Sequence, residues 1–367
     1  MFTPNQRKLT GTGGSLTRRR FLEAGAAAAL TAPAAGQPPK RVRLAHAKGE
    51  SVSFLYGDQP LFDYRYAASK PKTYVHPLYA PNGIPITLDG TPDHIHHRGC
   101  MLAWTNVNGF DFWGEIDPGA KGRIVHQRFE SMQDGVTAEL TAINHWIGGG
   151  RALLAERRTL RAPAPSREAV WLEWESELRA LQEPVSLRIE HEGQPSAMKA
   201  VYDGLGVRFV YSMNSGRVLN AKGETEIHKV NGAEAPWCAF AGPLETDSHG
   251  GAAIFDHPKN PRYPTPFYVA AGRTFAYLSA APTLREPLNL KAGQVLRLRY
   301  AVVTFVGPAD RAKLERLYRE WTTKGDLSVK RQNLHCYQGL RQLPASSRSD
   351  SLYGARATPR SVMMAVT

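Results

Sequence analysis

Val170-Trp171-Leu172-Glu173-Trp174-Glu175-Ser176-Glu177-Leu178-Arg179 is the stretch whose reading decides the fold. Successive side chains of an extended strand point to opposite faces. Val170, Leu172, Trp174 and Leu178 therefore share one face, and Trp171, Glu173, Glu175, Glu177 and Arg179 share the other. An apolar face alternating with a polar one marks a half-buried strand. The three acids in a row read as the solvated outer face of a sheet, not as a catalytic array.

Similar patterns extend in both directions. Before this stretch come candidate strands at 41–47, 52–56, 60–66, 122–131, 136–144 and 153–161. After it come 185–190, 206–211, 224–229, 237–241, 252–256, 274–280 and 295–306. Gly, Pro and Asp turn signals separate them. About fifteen short strands with little helix between them predict an all-β protein, a large antiparallel β-sandwich. One helix is expected over 308–323. Pro308 suits a first helical turn, and Leu314, Leu317, Tyr318 and Trp321 repeat at helical spacing, a stripe to be packed on the outside of a sheet.

The two ends differ from the body. Thr17-Arg18-Arg19-Arg20-Phe21-Leu22 matches the twin-arginine export motif, an apolar run at 24–30 follows, and Ala32-Pro33-Ala34 offers a small-x-small cleavage site. That run is too short to span a membrane. Residues 1–34 are thus expected to be a signal peptide, 35–329 the folded domain and 330–367 a disordered basic tail. The mature protein is expected in the periplasm or outside the cell, without a membrane span. Of the formal charge of +13, +4 falls in residues 1–34 and +5 in 330–367. The body has no basic run, and nucleic-acid binding, which needs positive charge gathered on one surface, is excluded. Cys100, Cys238 and Cys336 match no zinc spacing and form no disulfide framework. They read as buried thiols.

Chemistry concentrates in Asp93-His94-Ile95-His96-His97-Arg98-Gly99, with Trp113-Gly114-Glu115 following. Imidazoles titrate near neutrality and bind metals. On a strand, His94 and His96 would share one face, with Ile95 and His97 on the other. A second polar stretch is Asp256-His257-Pro258-Lys259-Asn260-Pro261-Arg262, whose prolines stiffen a loop suited to holding a ligand. Isolated buried charges are costly, so the two polar clusters are expected to share one cleft. Carbohydrate recognition pairs aromatic faces with charged groups that hydrogen-bond hydroxyls. Trp104, Trp113 and Trp146 supply the former, and Arg98, Asp256, Asn260 and Arg262 the latter. His94, His96, His97 or His257, with Glu115, could form an acid–base pair. The alternatives are a cupin-like site, with His94, His96 and Glu115 holding a divalent iron or manganese ion, and a carbohydrate-binding protein without catalysis.

His76-Pro77-Leu78, the 93–99 stretch, Val107-Asn108-Gly109, Asp111-Phe112-Trp113-Gly114-Glu115, Gly204-Leu205-Gly206-Val207-Arg208 and Ile254-Phe255-Asp256-His257-Pro258 together resemble the PmoA-like family of unknown function. The resemblance runs over about 41–323 and includes the 293–300 segment. It implies a β-supersandwich similar to galactose mutarotase and a role near sugar catabolism. The methane-oxygenase label that the family carries is at odds with a chain lacking long apolar spans. Residues 193–203 and 270–273 depart from the family pattern. Oligomeric state is not legible in the sequence.

Overall fold

In the computed structural model, residues 41–115, 121–189, 203–244, 247–272 and 274–324 are described. The leader, the tail with Cys336, most of the 193–203 segment and Arg273 lie outside the described residues. Strand Val170–Ala180 forms as its alternation predicts. Val170, Leu172, Trp174 and Leu178 are buried in the main core. On the other face Glu175 pairs with Arg161 and Glu177 with Arg297, both at 3.2 Å.

That strand belongs to one of two eight-stranded sheets. Its sheet runs Arg217–Asn220, Trp237–Pro243, His249–Asp256, Val295–Val306, Val170–Ala180, Arg151–Pro163, Thr137–Gly148, Arg123–Gln133. The other, called the first sheet here, runs Val42–Ala47, Ser51–Tyr56, Gln59–Arg65, Tyr74–Leu78, Cys100–Trp104, Asp203–Arg208, Ala276–Ala280, Phe267–Ala271. All the strand ladders are antiparallel; an isolated bridge, Asp111 to Lys121, is parallel. The inner faces of both sheets contribute to one apolar cluster that includes Phe54, Leu102, Trp104, Leu140, Trp174 and Leu278. This is the expected antiparallel supersandwich. Cys100 and Cys238 are buried thiols, their pKa values raised by desolvation.

A polar network crosses that core. Glu156 and Arg158, both fully buried, lie on the inner face of strand Arg151–Pro163. Arg158 donates to both Glu156 oxygens at 2.8 Å and to the Thr73 hydroxyl, also at 2.8 Å, across the sandwich. Trp146 Nε1, at 3.0 Å, and Ser176 Oγ, at 2.5 Å, complete the carboxylate's shell. A buried charge persists only when its hydrogen bonds are met in this way.

The helix spans Arg311–Lys324, three residues later than expected. Asp310, not Pro308, makes its start: the Asp310 carboxylate accepts from Lys313 N at 2.8 Å, satisfying a first-turn amide. Leu314, Leu317, Tyr318 and Trp321 cover Trp237, Phe255, Val303 and Phe305 on the outer face of the second sheet. Burying each such side chain stabilises by roughly 1.5–3 kcal/mol. Residues 224–229, expected as a strand, instead lead into the short helix Ile227–Val230.

Candidate functional site

The outer face of the first sheet carries its own small cluster, Tyr74, Met101, Ala103, Trp113 and Tyr277. Alternation puts it there, since Cys100, Leu102, Trp104 and Leu278 between these residues point into the main core. Onto this face folds a two-stranded sheet, Asp89–Thr91 with His94–Arg98. The histidines do not sort by strict alternation. Ile95 is 51% exposed, His97 is fully buried, and the three imidazoles contact one another. The register shifts between Asp89 and Thr91, and such a bulge bends and twists its strand enough to bring adjacent side chains together. His94 stacks on His97 at 4.5 Å, His97 lies 4.9 Å from the Tyr277 ring, and Phe275 packs 4.4 Å from His94.

Gly206 makes room for this stack. A Cβ there would collide with the Tyr277 hydroxyl, so the Gly-Leu-Gly motif has a steric cause on this face. Two residues on, Arg208 crosses to the histidines. It pairs with Asp93 Oδ2 at 2.6 Å, and its NH1 lies 3.4 Å from His97 Nδ1. Asp93 also accepts from the Tyr211 hydroxyl at 2.6 Å and lies 2.9 Å from His94 Nδ1. Burial pushes the Asp93 carboxyl up, but hydrogen bonds from Thr91, Tyr211, His94 and Arg208 outweigh it and hold it well below the usual carboxylate range. An ionised acceptor requires the donor N–H to sit on Nδ1 of His94. Among the described residues none hydrogen-bonds its Nε2.

His96 and His97 are kept neutral. Desolvation, with the neighbouring Lys72 and His94 charges, brings His96 down to about 4. Desolvation and the other imidazoles push His97 down further.

Below the histidines lies a chain of ion pairs. Lys72, buried, pairs with Glu115 at 2.7 Å and donates to the Trp113 carbonyl at 2.6 Å. Arg98 grips the same carboxylate with NH2 at 2.7 Å and reaches Asp89 with NH1 at 3.1 Å. Asp89 in turn accepts from the Tyr74 hydroxyl at 2.8 Å. Glu115 adopts a left-handed backbone conformation, φ +57°, which a non-glycine residue keeps only where its surroundings impose it. Burial raises its pKa, but Lys72 and Arg98 more than offset this and leave it lowered. Both Glu115 oxygens are taken up by Lys72 and Arg98, and among the described residues no hydrogen bond joins Glu115 to an imidazole.

His94, His96, His97, Arg98, Trp113 and Glu115 are thus brought together; the remaining predicted residues are elsewhere. Trp104 points into the main core, with Nε1 donating to Thr283 at 3.0 Å, and Trp146 lies beside it. His257 is buried 5.2 Å from the Trp321 ring, on the outer face of the second sheet. Asp256 points inward beside Tyr300 and accepts from Asn260 Nδ2 and Thr265 N. Arg262 donates to the carbonyls of Pro282, Glu286 and Pro287. Asp256 is bonded within the loop and Asn260 and Arg262 also to adjoining segments, and the sandwich core separates the loop's histidine from the 94–98 cluster. The shared cleft is not formed. Nor is the cupin-like arrangement, because Glu115 is turned to Lys72 and Arg98. No group of three or more His, Cys, Asp or Glu side chains among the described residues is placed to hold a metal ion.

Lys72, Asp89, Arg208, Tyr211, Phe275 and Tyr277 belong to the site without being singled out by the sequence. Arg208 had a signal, its place at the end of the Gly-Leu-Gly motif; the others carry none that a single sequence shows.

An antiparallel two-sheet sandwich with a polar, imidazole-rich cluster on the outside of one sheet is the class that fold and geometry define. Residues 51–319 match the model of a family of unknown function, DUF6807, and the chain belongs to that family. No curated protein matches it. Among solved structures it is similar to the heparan sulfate lyase HepC from Pedobacter heparinus, with 8% identity over 71% of this chain and 34% of that one, TM-score 0.34. The alpha-galactosidase from Lactobacillus brevis gives 8% over 73% and 39%, TM-score 0.34. A putative kojibiose phosphorylase from human microbiome gives 9% over 78% and 37%, TM-score 0.30. The chain spans 34–39% of the length of these proteins, and likenesses of this size say nothing of substrate. No helix among the described residues is long and apolar enough to cross a membrane.

Proposed function

We propose that this protein acts on a carbohydrate by acid–base chemistry centred on His94. The observation that carries the reading is the Asp93–His94 pair, 2.9 Å apart, with Asp93 fixed from behind by Arg208 and Tyr211. A carboxylate on Nδ1 holds an imidazole in one tautomer and orientation, leaving Nε2 to take a proton from a hydroxyl or C–H. His96, neutral and 5.6 Å from His94 between ring centres, offers an N–H to the same ligand. The aromatic edge of Phe275 and the carboxylates of Asp89 and Asp93 supply the apolar and hydrogen-bonding halves of sugar recognition. The twin-arginine leader supports export, which would place this chemistry in the periplasm or outside the cell.

The test is turnover of a panel of glycosides and keto-sugars by the wild type, His94→Ala and Asp93→Asn. Loss of general acid–base catalysis lowers kcat by about 10²–10⁴, with Tm nearly unchanged in His94→Ala because His94 is partly exposed; Asp93→Asn also takes the counter-ion from the buried Arg208 and lowers Tm. Binding of sugars without turnover by the wild type would leave a carbohydrate-binding protein and remove the catalytic role. Equal rates for His94→Ala would overturn the assignment of His94.

A further inference from the structure

Resting on the carbohydrate reading above, we infer that this face takes an uncharged polyhydroxyl ligand and rejects sugars carrying carboxylate, sulfate or phosphate. Among the described residues three cations lie around the histidines, and each is already neutralised. Lys72 is bound to Glu115 at 2.7 Å, Arg98 to Glu115 at 2.7 Å and to Asp89 at 3.1 Å, and Arg208 to Asp93 at 2.6 Å. Three ammonium or guanidinium groups are matched by three carboxylates.

The exposures decide which sign a ligand meets. The Lys72 and Arg208 side chains are 1% and 0% exposed and that of Arg98 is 13%, whereas Asp89 and Asp93 are 19% and 24%. Lys72, Arg208 and Glu115, itself 7% exposed, form the floor, Arg98 lies just above them, and Asp89 and Asp93 form the rim. An anionic sugar would have to displace a carboxylate from its guanidinium, or sit against uncompensated negative charge. A neutral sugar needs neither, because its hydroxyls donate to those same oxygens. Like-charge juxtaposition of this kind sets specificity more than overall affinity.

Matched probes test this on the full-length protein at pH 7. Methyl β-galactoside against galacturonate, methyl glucoside against glucuronate, and N-acetylglucosamine against its 6-sulfate would be measured by saturation-transfer NMR titration up to 50 mM. At least one neutral member is expected to bind, with its acidic partner about tenfold weaker or more in 20 mM NaCl. The gap should narrow in 500 mM NaCl, where screening shortens to a few ångströms. An acidic partner that binds as well as or better than the neutral one overturns the inference and leaves the carbohydrate reading standing. A gap that ignores salt also overturns it, since the discrimination would then be steric. Failure of every member to bind a folded protein refutes the carbohydrate reading itself, and this inference falls with it.

Discussion

Glu115→Gln tests the ion-pair floor most directly. The substitution keeps the size of the side chain and its left-handed backbone, but removes the charge that Lys72 faces at 2.7 Å. Lys72 is then a buried ammonium left with neutral acceptors only, the Trp113 and His96 carbonyls and the new side-chain amide oxygen. Burial already lowers its pKa, with Glu115 partly restoring it, so without Glu115 the amine is expected to discharge. Discharging a lysine at pH 7 from its ordinary value of 10.5 costs at most about 5 kcal/mol, at 1.36 kcal/mol per pH unit. Breaking a buried pair by removing one partner costs roughly 3–5 kcal/mol, within that ceiling. Urea denaturation followed by tryptophan fluorescence should therefore show a loss of about 3–4 kcal/mol at pH 7. Lys72→Met combined with Glu115→Gln should recover part of it, because no unpaired ammonium remains. The pH dependence is the sharper readout. A depressed lysine pKa contributes a deficit that is present below the folded value and closes as pH rises toward 10.5. The Glu115→Gln deficit should thus shrink by about 1–3 kcal/mol between pH 7 and 9. A deficit below 1 kcal/mol at pH 7, or one constant over that range, would show that Lys72 is not buried against Glu115 as described.

His96 has a folded pKa of about 4 against an ordinary 6.5, so its contribution is fully present above pH 6.5 and is lost as pH falls toward 4. Comparison of wild type with His96→Gln by thermal melts at pH 4.5 and 7.5 should show the wild type losing more stability at the acid end, and parallel curves would refute it. Gly206→Ala should destabilise by about 2–4 kcal/mol, in the range of overpacking and local strain, because a Cβ there meets the Tyr277 hydroxyl. Gly206→Ala with Tyr277→Phe should recover only a small part of that loss, because ring carbons Cζ and Cε1 would still lie 2.5 and 2.8 Å from the added Cβ; full recovery would show that the ring is not in the way.

Period two made Val170–Ala180 legible, since a strand with one buried face writes its geometry directly into polarity. The same signal located strand Val295–Val306 with both its ends. It failed where tertiary contact outweighs local pattern. The 224–229 segment has no apolar alternation to hold it in a sheet and becomes a turn and the helix Ile227–Val230. At His94–Arg98 a register shift in the paired strand overrides alternation, leaving the isoleucine exposed and burying a histidine. The density of imidazoles pointed to this place. Their partners were hidden, because Arg208 and Tyr277 arrive through strand order and lie more than a hundred residues away along the chain.

The loop at 256–262 shows why polar density alone misleads. A costly buried charge was expected to seek the other polar cluster, but desolvation is relieved by whichever partner is nearest. Asp256 finds Asn260 and the Thr265 amide within its own loop, and Arg262 finds three carbonyls of the adjoining segment. Asp93 finds Arg208 and Tyr211 on the other side of the core. Each cluster is bonded to its own neighbours, and at Asp256, where burial still pushes the carboxyl up to about 7, the remaining cost of desolvation is met by holding a proton and not by reaching the other cluster. Which of them faces a ligand is then decided by what stays open after those bonds form. At 256–262 Asp256, His257 and Asn260 are buried, and Arg262, its side chain 30% exposed, is held by three carbonyls of the adjoining segment. Around His94 the carboxylate rim remains partly exposed beside an imidazole nitrogen that no described residue bonds, and that difference is why the chemistry is assigned there.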